Sequence, residues 1–308
     1  MMMKQSSPVS GFELPELAAD NKINRVLAAA LQSRDLSDVP VFEESPIYWG
    51  AAYFGLDRVS IFQGASERKQ QEILCQLNQG LLHESLAIEQ AGVGYMAKMV
   101  LMADSSQERM LYSLFGADET MHLAQLQPYA KSDMEKIAAD PFLQLLAEIV
   151  ESADKLVLLF VLQVVLEGWG LTHYRSLAKD CSDQGLRRLF QSFLQAESRH
   201  HGTGVMLFSQ AQVSSSSQTA IVDCLATFLQ MVRVGPQRVM GAIATQLGHL
   251  SRPQRIKILQ QLDTVTHSHQ RLQLLKALMT NTGGTIVDTL EAKGLFTPLS
   301  PEEAASYG

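Results

Sequence analysis

A chain of 308 residues is long enough to bury one large core or two modest ones. Its net charge of −7, without any basic run, argues against a dedicated nucleic-acid binder. Three scattered cysteines, Cys75, Cys181 and Cys224, argue against a disulfide framework or a cysteine metal site, so a reducing, cytoplasmic setting is expected.

The first residues lack the apolar stretch of a secretory signal. Helical periodicity dominates and strand-like alternation is scarce, which predicts an all-α fold. Residues 1–65 read as short helical pieces interrupted by Pro8, Pro15, Pro40 and Pro46. A long helix is expected from near Ser66 to about Ala103. A turn at Asp104–Ser106 follows, whose polar side chains can cap the next helix, with Gln107 three residues after Asp104; that helix reaches Pro128. A connection carries a short helical piece around Met134 to Ala139. Pro141 then opens a third helix to about Lys179, bent near Ser152. Within it, Leu156–Leu166 (LVLLFVLQVVL) is the most apolar segment, too short to span a bilayer and therefore read as a core helix with no membrane span. A turn at Asp180–Gly185 leads to a fourth helix ending near Gln210. Ser214–Ser217 reads as a linker. Three or four further helical pieces are broken by Pro236, Pro253 and Gly283–Gly284, and Pro298 and Pro301 mark an irregular tail.

One spacing occurs twice. Glu89 is followed 30 residues later by Glu119 and three further on by His122; Glu167, Glu197 and His200 repeat the pattern, offset by 78 residues at every position. The midpoints are Asp104 and Ser182, both in expected turns. Each pair therefore climbs about 22 Å and returns, so its two glutamates finish level on adjacent antiparallel helices. Within each Glu-x-x-His the side chains are i, i+3 neighbours on one face. Four carboxylates and two imidazoles facing one another would repel unless cations offset them, and two divalent ions would do so. Oxygen-rich ligands with one histidine per ion suit iron or manganese better than structural zinc. Glu84 competes with Glu89, but the 78-residue offset maps it onto Leu162, which favours Glu89. Gly92 and Gly170, each three residues after a glutamate, either leave space beside the metals or permit close helix packing. Tyr112 and Asp118 are candidates for the site's surroundings, with an interior tyrosine and a solvated aspartate as the plainer readings. His201 points away from His200 and is read as a non-ligand, as are His173, His249, His267 and His269.

On these residues the chain resembles the ferritin-like di-metal carboxylate superfamily, in which one Glu from each of two helices joins Glu-x-x-His from each of two others. The resemblance covers residues 66–210, and by ligand spacing it is nearest to enzymes of the aldehyde-deformylating oxygenase type. It implies a ferritin-like four-helix bundle over 66–210, flanked by N-terminal (1–65) and C-terminal (211–308) helical extensions. This chain departs from that type in its longer leading segment and in the 98 residues after Gln210. Leu126 stands where the radical-bearing subunit of ribonucleotide reductase has a tyrosine, and Phe193 where arylamine N-oxygenases have a histidine. The resemblance implies two iron ions (Mn/Fe or Mn/Mn as variants) on the six residues, with dioxygen oxidising a small hydrophobic substrate. It also implies an external electron donor such as a ferredoxin, and leaves a homodimer open. The alternatives are a ferroxidase or iron-handling protein, and a helical interaction protein with a vestigial site.

Overall fold

The computed structural model describes residues 9–14, 17–32, 47–130 and 140–307, and among these residues there are helices and no strands. The expected helical piece around Met134 to Ala139 lies outside them, as do Pro8, Pro15, Pro40 and Pro46. In chain order the helices are α1 (Lys22–Gln32), α2 (Ser60–Gln63), α3 (Glu67–Leu101), α4 (Ser106–Leu126) and α5 (Pro141–Glu151). One continuous helical run follows, made of α6 (Lys155–Val157), a π-helical stretch π1 (Leu158–Glu167) and α7 (Gly168–Asp180). After it come α8 (Gln184–Gln210), α9 (Ser215–Val234), α10 (Gln237–Leu247), α11 (Arg252–Gln261), α12 (Thr264–Thr280), α13 (Gly284–Ala292) and α14 (Pro301–Ala304).

The chain divides into two compact units. The described part of Met1–Glu44 joins Leu81–Lys155 in the first; Ser45–Gly80 and Leu156–Gly308 form the second. In the first unit the α3–α4 turn is capped by Ser105, one of the three polar turn residues that the sequence offers. Glu108 N–H donates to Ser105 Oγ at 3.1 Å, and the Glu108 carboxylate accepts from the Asp104 N–H at 2.9 Å. This is a reciprocal cap shifted one residue along, with Glu108 replacing Gln107. Lys155 Nζ ties the turn down through Asp104 (2.7 Å) and Glu108 (2.6 Å). Burial opposes the charge on Lys155, but its two carboxylate partners outweigh that and raise its pKa. Asp140 caps α5 ahead of Pro141 by accepting from Phe142 and Leu143 N–H groups. The segment Val9–Leu14 lies across α3. Gln90 donates to the Gly11 carbonyl at 2.8 Å, and Glu151 accepts from Val9 N–H. A Cβ on Gly94 would collide with the Val9 carbonyl, so glycine is required there.

In place of a bend near Ser152, α5 ends at Glu151 and a new helical run starts at Lys155. That run, Lys155–Asp180, is long and apolar enough by length and composition to cross a bilayer, and every residue from Leu158 to Val165 is buried. In the second unit, Leu56, Phe62, Ile73 and Leu77 form a core with Ile243, Ile258 and Leu259 of α10 and α11. A second layer sets Tyr174 against Phe190 (5.5 Å) and Phe193 (5.6 Å), with Trp49 Nε1 donating to the Leu177 carbonyl at 3.0 Å. Two expectations are corrected here. Ser214 is the N-cap of α9, accepting from the Ser217 N–H at 3.0 Å, so the serine run begins a helix rather than a linker. Pro301 opens α14 within a Ser300–Glu303 capping box, so the tail is not wholly irregular.

Candidate metal centre

In the first unit, α3 supplies Glu89 and α4 supplies Glu119 and His122. One ligand atom of each lies within 4.8 Å of the others, and all three residues are buried. Glu119 and His122 share a helix face because they are three residues apart. His122 Nδ1 donates to Glu89 Oε2 at 3.1 Å, so a proton lies between imidazole and carboxylate. Gly92, one turn after Glu89, gives the Glu119 carboxylate its place. A Cβ at position 92 would stand 2.5 Å from Glu119 Oε2 and 2.9 Å from its Cδ. Glu84 is only half-buried and is not part of the cluster, in keeping with the preference for Glu89.

The second unit repeats the chemistry. Glu167 is the last residue of π1, and Glu197 and His200 lie on α8; one ligand atom of each again falls within 4.8 Å of the others. Glu197 is 6% exposed and His200 fully buried, while Glu167 is half-buried. His200 Nδ1 stands 3.8 Å from Glu197 Oε2. Each cluster offers two carboxylates and one imidazole, a donor set that can hold a divalent cation. Two carboxylates withdrawn from water at such spacing repel strongly, and a cation removes that cost. The cradle at Gly92 and these donor sets fit metal ions.

No family model, curated protein or solved structure matches this chain. The metal reading therefore rests on the side chains themselves.

The two clusters differ in their glycines. Gly170, the counterpart of Gly92, would carry a Cβ into open space, so it neither seats a ligand nor permits a close approach. Between the helical run of π1 and α7 and its neighbour α8, close approaches occur at Gly168 and Gly204, which the spacing argument did not single out. Tyr112 is fully buried and packs edge-on against Phe115 at 5.8 Å, the plainer reading of that residue. Trp169 packs on Phe228 at 5.0 Å. Asp118 is half-buried, and His249, His267 and His269 are exposed. Gln163 was missed. Its signal in the sequence is that it is the one polar residue in an otherwise apolar run, and in the structure it is fully buried.

Proposed function

We propose that this chain is a non-haem oxidoreductase of ferritin-like design. It holds two iron ions, or manganese in one or both places, on Glu89, Glu119, His122, Glu167, Glu197 and His200. With dioxygen it oxidises a small, mostly apolar organic molecule. The observation that carries this reading is that each unit gathers two carboxylates and one imidazole within 4.8 Å. The 78-residue repeat supports a common role for the two clusters, since it matches all six residues at once.

Two redox-active ions held this way supply electrons for the reduction of dioxygen. The protein's own part is charge balance, orientation and exclusion of water. Four glutamates offset the four positive charges of two divalent ions. The proton between His122 and Glu89 must leave when a cation takes its place, so metal affinity falls on acidification. Glu167 closes π1, whose first eight residues, Leu158–Val165, are buried and all but Gln163 apolar, and that setting suits an apolar substrate. Two electrons per turnover come from an external donor such as a ferredoxin.

The test is to load the chain anaerobically with ferrous iron and a chemical reductant, then admit oxygen with and without aliphatic aldehydes or hydrocarbons. Substrate-dependent oxygen consumption with an oxidised organic product is expected. Iron oxidation at equal rates with and without substrate, and no organic product, would replace this reading with the ferroxidase alternative.

A further inference from the structure

π1 ends on Glu167, and its other polar residue, Gln163, is joined to α8, the other ligand helix of the second unit, by two reciprocal bonds. The Gln163 carbonyl accepts from His201 Nδ1 at 3.0 Å, and Gln163 Nε2 donates to the His200 carbonyl at 3.3 Å. A carbonyl can only accept, so the His201 ring carries its proton on Nδ1. Two glycines close the joint. A Cβ on Gly204 would meet the Gln163 backbone at 3.2 and 3.3 Å, and one on Gly168 would meet the His201 ring at 2.8 and 2.9 Å. Gly168 directly follows Glu167, and His201 directly follows His200. The joint thus grips the backbone beside two of the three ligands.

We propose that Gln163 and His201 are positioning residues for the ion held by Glu167, Glu197 and His200. The proposal rests on the metal-binding reading above and adds residues to it. A π turn holds one more residue than an α turn and is the rarer state. Relaxation of π1 to α geometry would swing Glu167 about its axis by as much as one residue's rotation, about 100° at 3.6 residues per turn. The His201–Gln163 bond opposes that relaxation by holding the π1 carbonyl against α8. The return bond from Gln163 to the His200 carbonyl fixes the height of the imidazole along its helix. His201 is therefore no ligand: its Nδ1 proton is given to Gln163, and its ring fills the space that Gly168 leaves.

The experiment is a cobalt(II) titration of the full-length chain, read by visible ligand-field bands, with circular dichroism recording helix content. The variants are His201→Leu, His201→Asn, Gln163→Met and, as a control for general histidine loss, the exposed His267→Leu. In the wild type and in His267→Leu, two equivalents are expected to bind with ligand-field bands. In His201→Leu and Gln163→Met, one equivalent is expected to bind about 10- to 100-fold more weakly with altered bands, while the other is unchanged. His201→Asn places an amide N–H near the position of Nδ1 and is expected to restore both affinity and bands. If His201→Leu and Gln163→Met keep wild-type bands and affinity for both equivalents, the positioning role is refuted while the metal site stands. If His201→Asn is as impaired as His201→Leu, the hydrogen bond is not the agent and the proposal again fails. A wild type that binds no cobalt refutes the metal-binding reading and this proposal together.

Discussion

Replacing Gly92 with alanine separates metal binding from folding, because the two should move in opposite directions. The added Cβ would lie 2.5 Å from Glu119 Oε2, 2.9 Å from its Cδ and 3.2 Å from its Cγ. Ordinary contact begins at 3.4 Å, so the carboxylate must retreat by about 0.9 Å, the difference between 3.4 and 2.5 Å. The atoms displaced are the far end of a flexible side chain, which makes the cost to folding small. Alanine in place of glycine within a helix also stabilises by about 0.5–1 kcal/mol. The metal-free variant is therefore expected to melt about 1–4 °C above the metal-free wild type. Metal bonds tolerate only about 0.2 Å of displacement, so a shift several times larger is expected to weaken binding at the Glu119 ion by about 100-fold or more. Thermal melts of the stripped protein and calorimetric titration with manganese(II) measure the two effects. A Gly92→Ala chain that binds manganese as tightly as the wild type would refute the assignment of Glu119 as a ligand.

Gly170→Ala is the matched control. With nothing within 4 Å of its Cβ, it should stabilise by up to about 1 kcal/mol and leave metal affinity unchanged in the same two assays. Lys155→Met removes the cation facing Glu108, whose side chain is 8% exposed, and is expected to cost about 1–3 kcal/mol in urea unfolding. Asp104→Asn, at an 85% exposed partner, should cost under about 1 kcal/mol. Burial pushes the Cys181 thiol up to about 11, so at pH 8 roughly one molecule in a thousand carries the thiolate. Mass spectrometry after iodoacetamide treatment should find Cys181 unmodified in the folded chain and alkylated after denaturation. Rapid alkylation of the folded chain would contradict its burial.

The clustering of these glutamates and histidines was legible because it depends on chain distance alone. A 30-residue interval with a turn at its middle brings Glu89 level with Glu119, one turn from His122, and the same interval relates Glu167 to Glu197. The same logic chose Glu89, which is 1% exposed, over the half-buried Glu84. The helix ends were read to within a few residues at α3, α4 and α8, where Ser105 and Asp183 are short polar caps. π1 was not legible. Apart from Gln163 and Glu167 its residues are apolar, so no periodicity distinguishes a π turn from an α turn. Ser214–Ser217 misled because serine favours both linkers and helix N-caps, and only the bond from Ser217 N–H to Ser214 Oγ decides between them. The joint of Gln163, His201, Gly168 and Gly204 is tertiary, between residues 38 apart in the chain at its central bond, and no local rule reaches it.

Metal content after reconstitution tests the central claim most directly. The chain would be stripped with chelator, reloaded anaerobically with ferrous iron, desalted and analysed by inductively coupled plasma mass spectrometry. Glu119→Ala and His200→Ala variants, verified as helical by circular dichroism, would be treated alike. The account expects about two ions per wild-type chain and a marked loss in each variant. Wild-type protein without bound metal, or folded variants that retain full metal content, would contradict it.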